Sequence, residues 1–283
     1  MPKCFLCPHR CGVDRERAYG RCRAGSEMKI CRIAPHYFEE PEISGVNGSG
    51  TVFFSGCSLD CEFCQNYEIS KRYVGKTYTP AELAEAFKRL EERGVHNINL
   101  VTPTHFSDKI REALDIYRPS VPIVYNTSGY ELPEVVEKMN DYVDIYLTDF
   151  KYSNNEIGKK FSGISDYFDV CLAATEKMVE SKKYISENGL MKQGVIIRHL
   201  VLPGQLQNTF DFIDIYKDRF FPDAKLSVMS QFIPSYRSTI TRKLKPLENK
   251  MVVNYLLKKG IDDCYVQENE SASEDFVPAF QTD

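Results

Sequence analysis

No apolar run in this 283-residue chain approaches the roughly 20 residues that a membrane helix needs. No basic stretch followed by an apolar one opens it either, so a cytoplasmic protein without a membrane partner is expected. Charge of one sign is also missing. The 36 basic and 40 acidic residues leave a net charge of −4 with no basic block, which argues against nucleic acid as a main partner. A glycine-rich G-x-G-x-x-G turn is absent, and with it the usual mark of a dinucleotide-binding sheet. One further absence concerns residues 53–66, "FFSGCSLDCEFCQN". Cys57, Cys61 and Cys64 are spaced C-x3-C-x2-C, with no fourth cysteine beside them.

Cysteine itself is plentiful, at ten residues. Disulfides are disfavoured in a reducing compartment, so clustered thiols there point to metal or catalysis. Cys171 and Cys264 stand alone and read as small buried hydrophobes. Residues 1–45 hold five cysteines and little periodic pattern, and such a segment needs a metal staple rather than a core of its own. Residues 46–283 form the second unit.

From about residue 50, strand and helix patterns alternate. "TVFF" (51–54), "VHNINLV" (95–101), "VPIVYN" (121–126), "YVDIYLTDF" (142–150), "GVIIRHLVL" (194–202), 225–231 and 262–266 read as strands. Helices fall between them, the first opened by Thr79, Pro80 and Glu82 as a capping box and the longest spanning roughly 167–187 to a stop near Gly189. Such alternation predicts an α/β fold with a parallel sheet, a complete or partial (β/α) barrel carrying a small cysteine-rich N-terminal extension.

Each iron of a 4Fe–4S cubane ordinarily takes one cysteine thiolate, so three thiols leave one iron open. A structural zinc site closes all four positions and fits three clustered thiols poorly. At the C-terminal ends of successive strands, polar residues two apart share a face: Thr102 with Thr104, Asn126 with Ser128, Asp149 with Lys151. Inside a barrel such groups are costly unless they bind something; helix capping is the lesser reading for any one pair and does not account for all three. Arg198 and His199 point to opposite faces of their strand. A buried arginine needs an anion, so Arg198 is expected to face cofactor or substrate, and His199 to pack. His105, Tyr130 and Tyr152 are further candidates for substrate contact.

The motif C-x3-C-x2-C after the first strand, with Phe63 before its third cysteine, resembles that of radical S-adenosylmethionine (radical SAM) enzymes. "EEPEISG", "GSGTVFFSGC", "CQNYEIS", "NINLVTPTHF", "VPIVYNTSGYE", "VDIYLTDFKY" and "RHLVLPG" together are similar to a subfamily related to pyruvate formate-lyase activating enzymes. That resemblance implies a 4Fe–4S cluster on Cys57, Cys61 and Cys64, whose open iron chelates the amino and carboxylate groups of S-adenosylmethionine. One-electron reduction, from a low-potential donor such as flavodoxin or ferredoxin, then gives methionine and a 5′-deoxyadenosyl radical that abstracts hydrogen. It also implies that Phe63 and Asn66 stand near the adenine, and that Lys151 and Asp149 suit the carboxylate. Thr102–Thr104 occupies the place of a Gly-Gly-Glu contact that this chain lacks. The substrate is either a glycine of a partner protein, activated to a glycyl radical, or a small molecule or peptide. A non-catalytic iron–sulfur or zinc sensor is the reading of a different class, and it would not need the polar rim. Cys4, Cys7, Cys11 and Cys22, spaced C-x2-C-x3-C-x10-C, supply four thiolates for zinc or a second 4Fe–4S cluster, and Cys31 can replace any of them.

Overall fold

A computed structural model describes residues 3–267 and Phe280; the remainder of the 46–283 unit lies outside the described residues. Its strands are β1 (Met28–His36), β2 (Ser49–Phe54), β3 (Lys76–Tyr78), β4 (Ile98–Val101), β5 (Ile123–Thr127), β6 (Ile145–Asp149), β7 (Ile185–Glu187), β8 (Leu190–Leu200), β9 (Lys225–Met229) and β10 (Cys264–Val266). The helices are α1 (Pro41–Ser44), α2 (Tyr67–Arg72), α3 (Pro80–Glu92), α4 (Ser107–Ile116), α5 (Pro133–Met139), α6 (Asn155–Ser162), α7 (Tyr167–Ser181), α8 (Leu206–Arg219) and α9 (Pro246–Lys258).

One sheet runs in the order β10-β9-β8-β6-β5-β4-β2-β1-β3. From β2 to β10 every neighbouring pair is parallel, as strands joined by crossover helices require. Among the described residues no pairing joins the end strands, so the barrel is partial. β1 adds to β2 in antiparallel fashion, Ile33 opposite Val52 and His36 opposite Ser49, and β3 adds to β1. Residues 28–36 of the cysteine-rich segment therefore pair into the sheet. The antiparallel β1 carries its pattern in a partly covered edge, "MKICRIAPH", which reads weakly in sequence.

The two faces of the parallel strands differ. Val52, Leu100, Tyr125, Tyr146, Ile197 and Val228 point outward into the large core beneath the helices. Inward, Val124, Ile145, Leu147 and Ile196 form a small apolar floor with Ile43 of α1 and Met191. Two residues further along the same face stand Asn126, Asp149 and Arg198, so the polar rim sits directly above this floor.

Local signals mostly hold. Thr79 and Glu82 form the reciprocal capping box of α3, with Glu82 N–H to Thr79 Oγ1 at 3.2 Å and Thr79 N–H to Glu82 at 2.8 Å. The long helix ends at Ser181 rather than 187, because Asn188 and Gly189, at φ 53° and 75°, turn β7 into a hairpin with β8. Helix α6 was hidden in a short polar stretch; the Asn154 side chain accepts from Ile157 N–H at 3.0 Å and caps it.

Candidate active site

The buried strand β2 delivers the chain into the cysteine loop. Gly56, at φ +90°, makes the first turn, and a Cβ there would lie 2.7 Å from the Cys22 carbonyl oxygen. Cys57 N–H donates to that same carbonyl at 3.0 Å, and Cys64 N–H donates to Cys61 O at 3.3 Å. Ser162 on α6 donates to Cys61 Sγ at 2.9 Å and in turn meets Tyr152 Oη at 2.5 Å. Tyr152 thus reaches the thiol trio through Ser162. Burial pushes the Cys57 thiol up to about 12 and raises Cys64 as well. Thiols so desolvated favour the neutral form until a metal takes the proton's place.

All three thiols line one cavity of about 280 Å³. Phe63, Asn66, Thr102, Asn126, Ser128, Asp149, Lys151 and Arg198 line it too. The Lys151 ammonium pairs with Asp149. Burial would lower its pKa, but the Asp149 carboxylate beside it holds it above the ordinary lysine value. Gly129 lets the ends of β5 and β6 meet, since a Cβ there would lie 2.2 Å from Asp149 O. Thr102 sits at φ +60°, a conformation that a β-branched residue adopts only at a cost of about 1–3 kcal/mol. A glycine would take it freely.

Several expected contacts are placed differently. Thr104 turns away from the cavity and donates to Glu131 at 2.5 Å. Arg198 lines the cavity, yet its anions come from its own chain: Glu40 at 2.8 and 2.6 Å, and Glu39. The β1–α1 connection carries both glutamates into the lumen, where Glu39 also accepts from Asn99 at 3.0 Å and Asn126 at 3.5 Å. Sequence reasoning asked for an anion beside Arg198 and looked for it in a ligand; the signal was the "EE" of "EEPEISG". His105 is buried with Nε2 2.7 Å from Ser55 O, and Tyr130 donates to Asp166 at 2.8 Å, so neither faces the cavity. His199 packs, with Nδ1 2.7 Å from Phe150 O and its ring stacked on Phe212.

Among the N-terminal thiols, Cys11 and Cys22 both approach Gly20, at 3.7 and 3.2 Å from where its Cβ would stand. The charges of Cys22 and Cys4 bear on Cys7, whose thiol burial pushes up to about 12. Cys31 is elsewhere, on β1, packed with Phe53 and Ile69 and donating to Val74 O at 3.1 Å, so it does not replace any of the four. Among the described residues no three His, Cys, Asp or Glu side chains stand within reach of a single ion.

The donor set fits a cubane with one open iron and a zwitterionic ligand: three thiols on one wall of a cavity, with amide, hydroxyl, carboxylate and ammonium groups on the others. The Radical SAM superfamily matches residues 51–214, more than half of the chain. The chain is 33% identical over 281 residues to an uncharacterized protein of Methanocaldococcus jannaschii, covering 93% of this chain and 76% of that one. In fold it is similar to a radical SAM methyltransferase from Sphaerobacter thermophilus, with a TM-score of 0.56, 14% identity, and coverage of 85% of this chain and 77% of the other. Streptococcus suis SuiB bound to the precursor peptide SuiA is similar with a TM-score of 0.53 and 11% identity over 75% of this chain; the match spans 46% of SuiB, about half its length. Among the described residues no helix is long and apolar enough to cross a membrane.

Proposed function

Since this chain belongs to the radical SAM superfamily, whose members cleave S-adenosylmethionine with an iron–sulfur cluster, we propose that it abstracts hydrogen from a polypeptide segment, in a glycyl-radical partner protein or a peptide. When bound, the cluster and S-adenosylmethionine supply a 5′-deoxyadenosyl radical on one-electron reduction. Cys57, Cys61 and Cys64 hold the cluster. Lys151, kept charged by Asp149, binds the carboxylate of the cofactor, while Thr102, Asn126 and Ser128 offer hydroxyl and amide partners to its ribose and amino group. Phe63 and Asn66 bound the adenine side. Arg198 acts as a positioning residue, fixing Glu39 and Glu40, and through Glu39 the Asn126 amide.

The observation that carries the catalytic reading is the convergence of three thiols and the Asp149–Lys151 pair on one cavity. The substrate class is supported by Streptococcus suis SuiB, a similar fold solved with the precursor peptide SuiA bound. The electron donor is of the flavodoxin or ferredoxin class. Cys4, Cys7, Cys11 and Cys22 hold a second metal, zinc or a 4Fe–4S cluster.

Anaerobically reconstituted protein with dithionite should release 5′-deoxyadenosine, and the Cys57/Cys61/Cys64→Ala variant should release none. With fully deuterated proteins or peptides as substrate, deuterium should enter 5′-deoxyadenosine. Label arriving only from the small-molecule fraction would replace the polypeptide reading with a small-molecule one.

A further inference from the structure

A thiolate that has exchanged its proton for a metal can only accept hydrogen bonds. Each of the sulfurs of Cys57, Cys61 and Cys64 has a donor within reach, and each donor comes from a different element. Leu59 N–H, in the cysteine loop itself, donates to Cys57 Sγ at 3.4 Å. Ser70 Oγ, on α2, stands 3.4 Å from Cys64 Sγ. With iron on that sulfur, Ser70 is the donor of the pair. Ser162, the last residue of α6, donates to Cys61 Sγ at 2.9 Å.

The Ser162 contact is held from both sides. Its partner lies 101 residues away in the chain, yet the neighbours of both fix the register: Glu62 N–H donates to Phe161 O at 2.9 Å. The rings of Phe63 and Phe161 meet edge-on, with centroids 6.4 Å apart. Behind Ser162, Tyr152 Oη lies 2.5 Å from its Oγ. Since Ser162 gives its proton to sulfur, Tyr152 gives its own to Ser162. Both side chains are fully buried, so each hydroxyl must find its partner within the protein. A chain of donors running one way, from phenol to hydroxyl to sulfur, polarises along its length and strengthens its last bond.

Reduction adds one negative charge, spread over the cluster and its sulfurs. A fixed donor therefore binds the reduced form more strongly than the oxidised one, and hydrogen bonds to the sulfurs are among the levers that set such potentials. We propose that Ser162, supported by Tyr152, and Ser70 raise the reduction potential of the cluster held by Cys57, Cys61 and Cys64, easing its reduction by the low-potential donor. The donor is oxidised by one electron and the cluster is reduced by one; no atom moves. Ser162 and Ser70 touch the ligand sulfurs, and Tyr152 is a positioning residue that acts through Ser162. The inference rests on the catalytic reading of the three thiols.

The test is a redox titration of the reconstituted full chain, following the EPR signal that S-adenosylmethionine alters. Ser162→Ala should keep the iron content of wild type. Its equilibrium constant for one-electron reduction should fall about tenfold, a midpoint about 59 mV more negative. Tyr152→Phe, which touches no thiol, should lower that constant about threefold, as should Ser70→Ala with its longer contact. Ser162→Thr, which keeps a hydroxyl, should restore the wild-type midpoint. If the hydroxyls only pack the end of α6, Ser162→Ala will lower the thermal midpoint and leave the potential where it was, and that result overturns the proposal. Should Ser162→Ala hold no iron, Tyr152→Phe decides alone, and an unchanged or less negative midpoint in it overturns the proposal equally. Failure of the catalytic reading shows separately, because no EPR signal would then respond to S-adenosylmethionine, in wild type or any variant.

Discussion

In the loop after β2, Cys57, Cys61 and Cys64 open onto a cavity whose far walls carry Asn126, Ser128, Asp149 and Lys151, whereas Cys4, Cys7, Cys11 and Cys22 are packed in turns with no such rim. The first set has three thiols at the mouth of a buried parallel strand; the second has four in a segment without periodic structure before β1. A metal with a free coordination position needs both a missing ligand and a place for the incoming one. Thiol count gives the first and the sheet gives the second, so only the Cys57 loop meets both conditions.

The comparison breaks most completely if the two sets depend on each other. In the Cys57/Cys61/Cys64→Ala variant the catalytic iron should be lost entirely while elemental analysis still finds the N-terminal metal. Loss of both would show one cooperative site.

Next in size is Arg198→Ala. It leaves Glu39 and Glu40 buried without their cation, and breaking such a pair costs about 3–5 kcal/mol. Chemical denaturation should show this loss, and Arg198→Met should show less of it when Glu39 and Glu40 are replaced by glutamine together.

Glu131 stands between the two regions, accepting from Thr104 at 2.5 Å and from Thr127, with Cys7 close enough to feel its charge. Burial raises its carboxyl from 4.5 to about 7. The folded state therefore holds a proton that the unfolded chain releases, so stability falls as pH rises from about 4.5 through about 7, by about 3 kcal/mol. Glu131→Gln should flatten that pH dependence; an unaltered profile would show that this carboxyl is ionised throughout.

The smallest effect sharpens the role of the rim. Lys151→Ala should weaken S-adenosylmethionine binding roughly ten- to a hundred-fold, the loss of one charge-assisted hydrogen bond of about 1.5–3 kcal/mol. Its iron content should be unchanged. A lowered thermal midpoint with unaltered affinity would make the pair a loop support only.

The strand and helix series was legible because apolar runs, proline and glycine punctuation and the Thr79–Glu82 box are local signals that the fold did not override. The hairpin at Asn188-Gly189 carried an equally local signal, outweighed by a helical pattern that ran past its real end at Ser181. The polar rim followed from strand periodicity, which places Asn126, Asp149 and Arg198 on one face whatever surrounds them. Thr104 escaped that rule because the chain leaves β4 in a tight turn, with Thr102 at positive φ, and alternation ends where extended backbone ends.

By itself, then, the sequence determined the C-x3-C-x2-C thiol spacing and the alternation of strands with helices, since both depend on residue type and on spacing along the chain. Tertiary structure decided the partners across long separations. Glu39 and Glu40 reach Arg198 only because β1 adds antiparallel to β2 and turns the following residues into the lumen. Cys22 meets Cys57 only because Gly56 leaves room for its carbonyl. A buried charge or an amide must find some partner, and its identity is fixed by which distant segment the packing brings within about 3 Å.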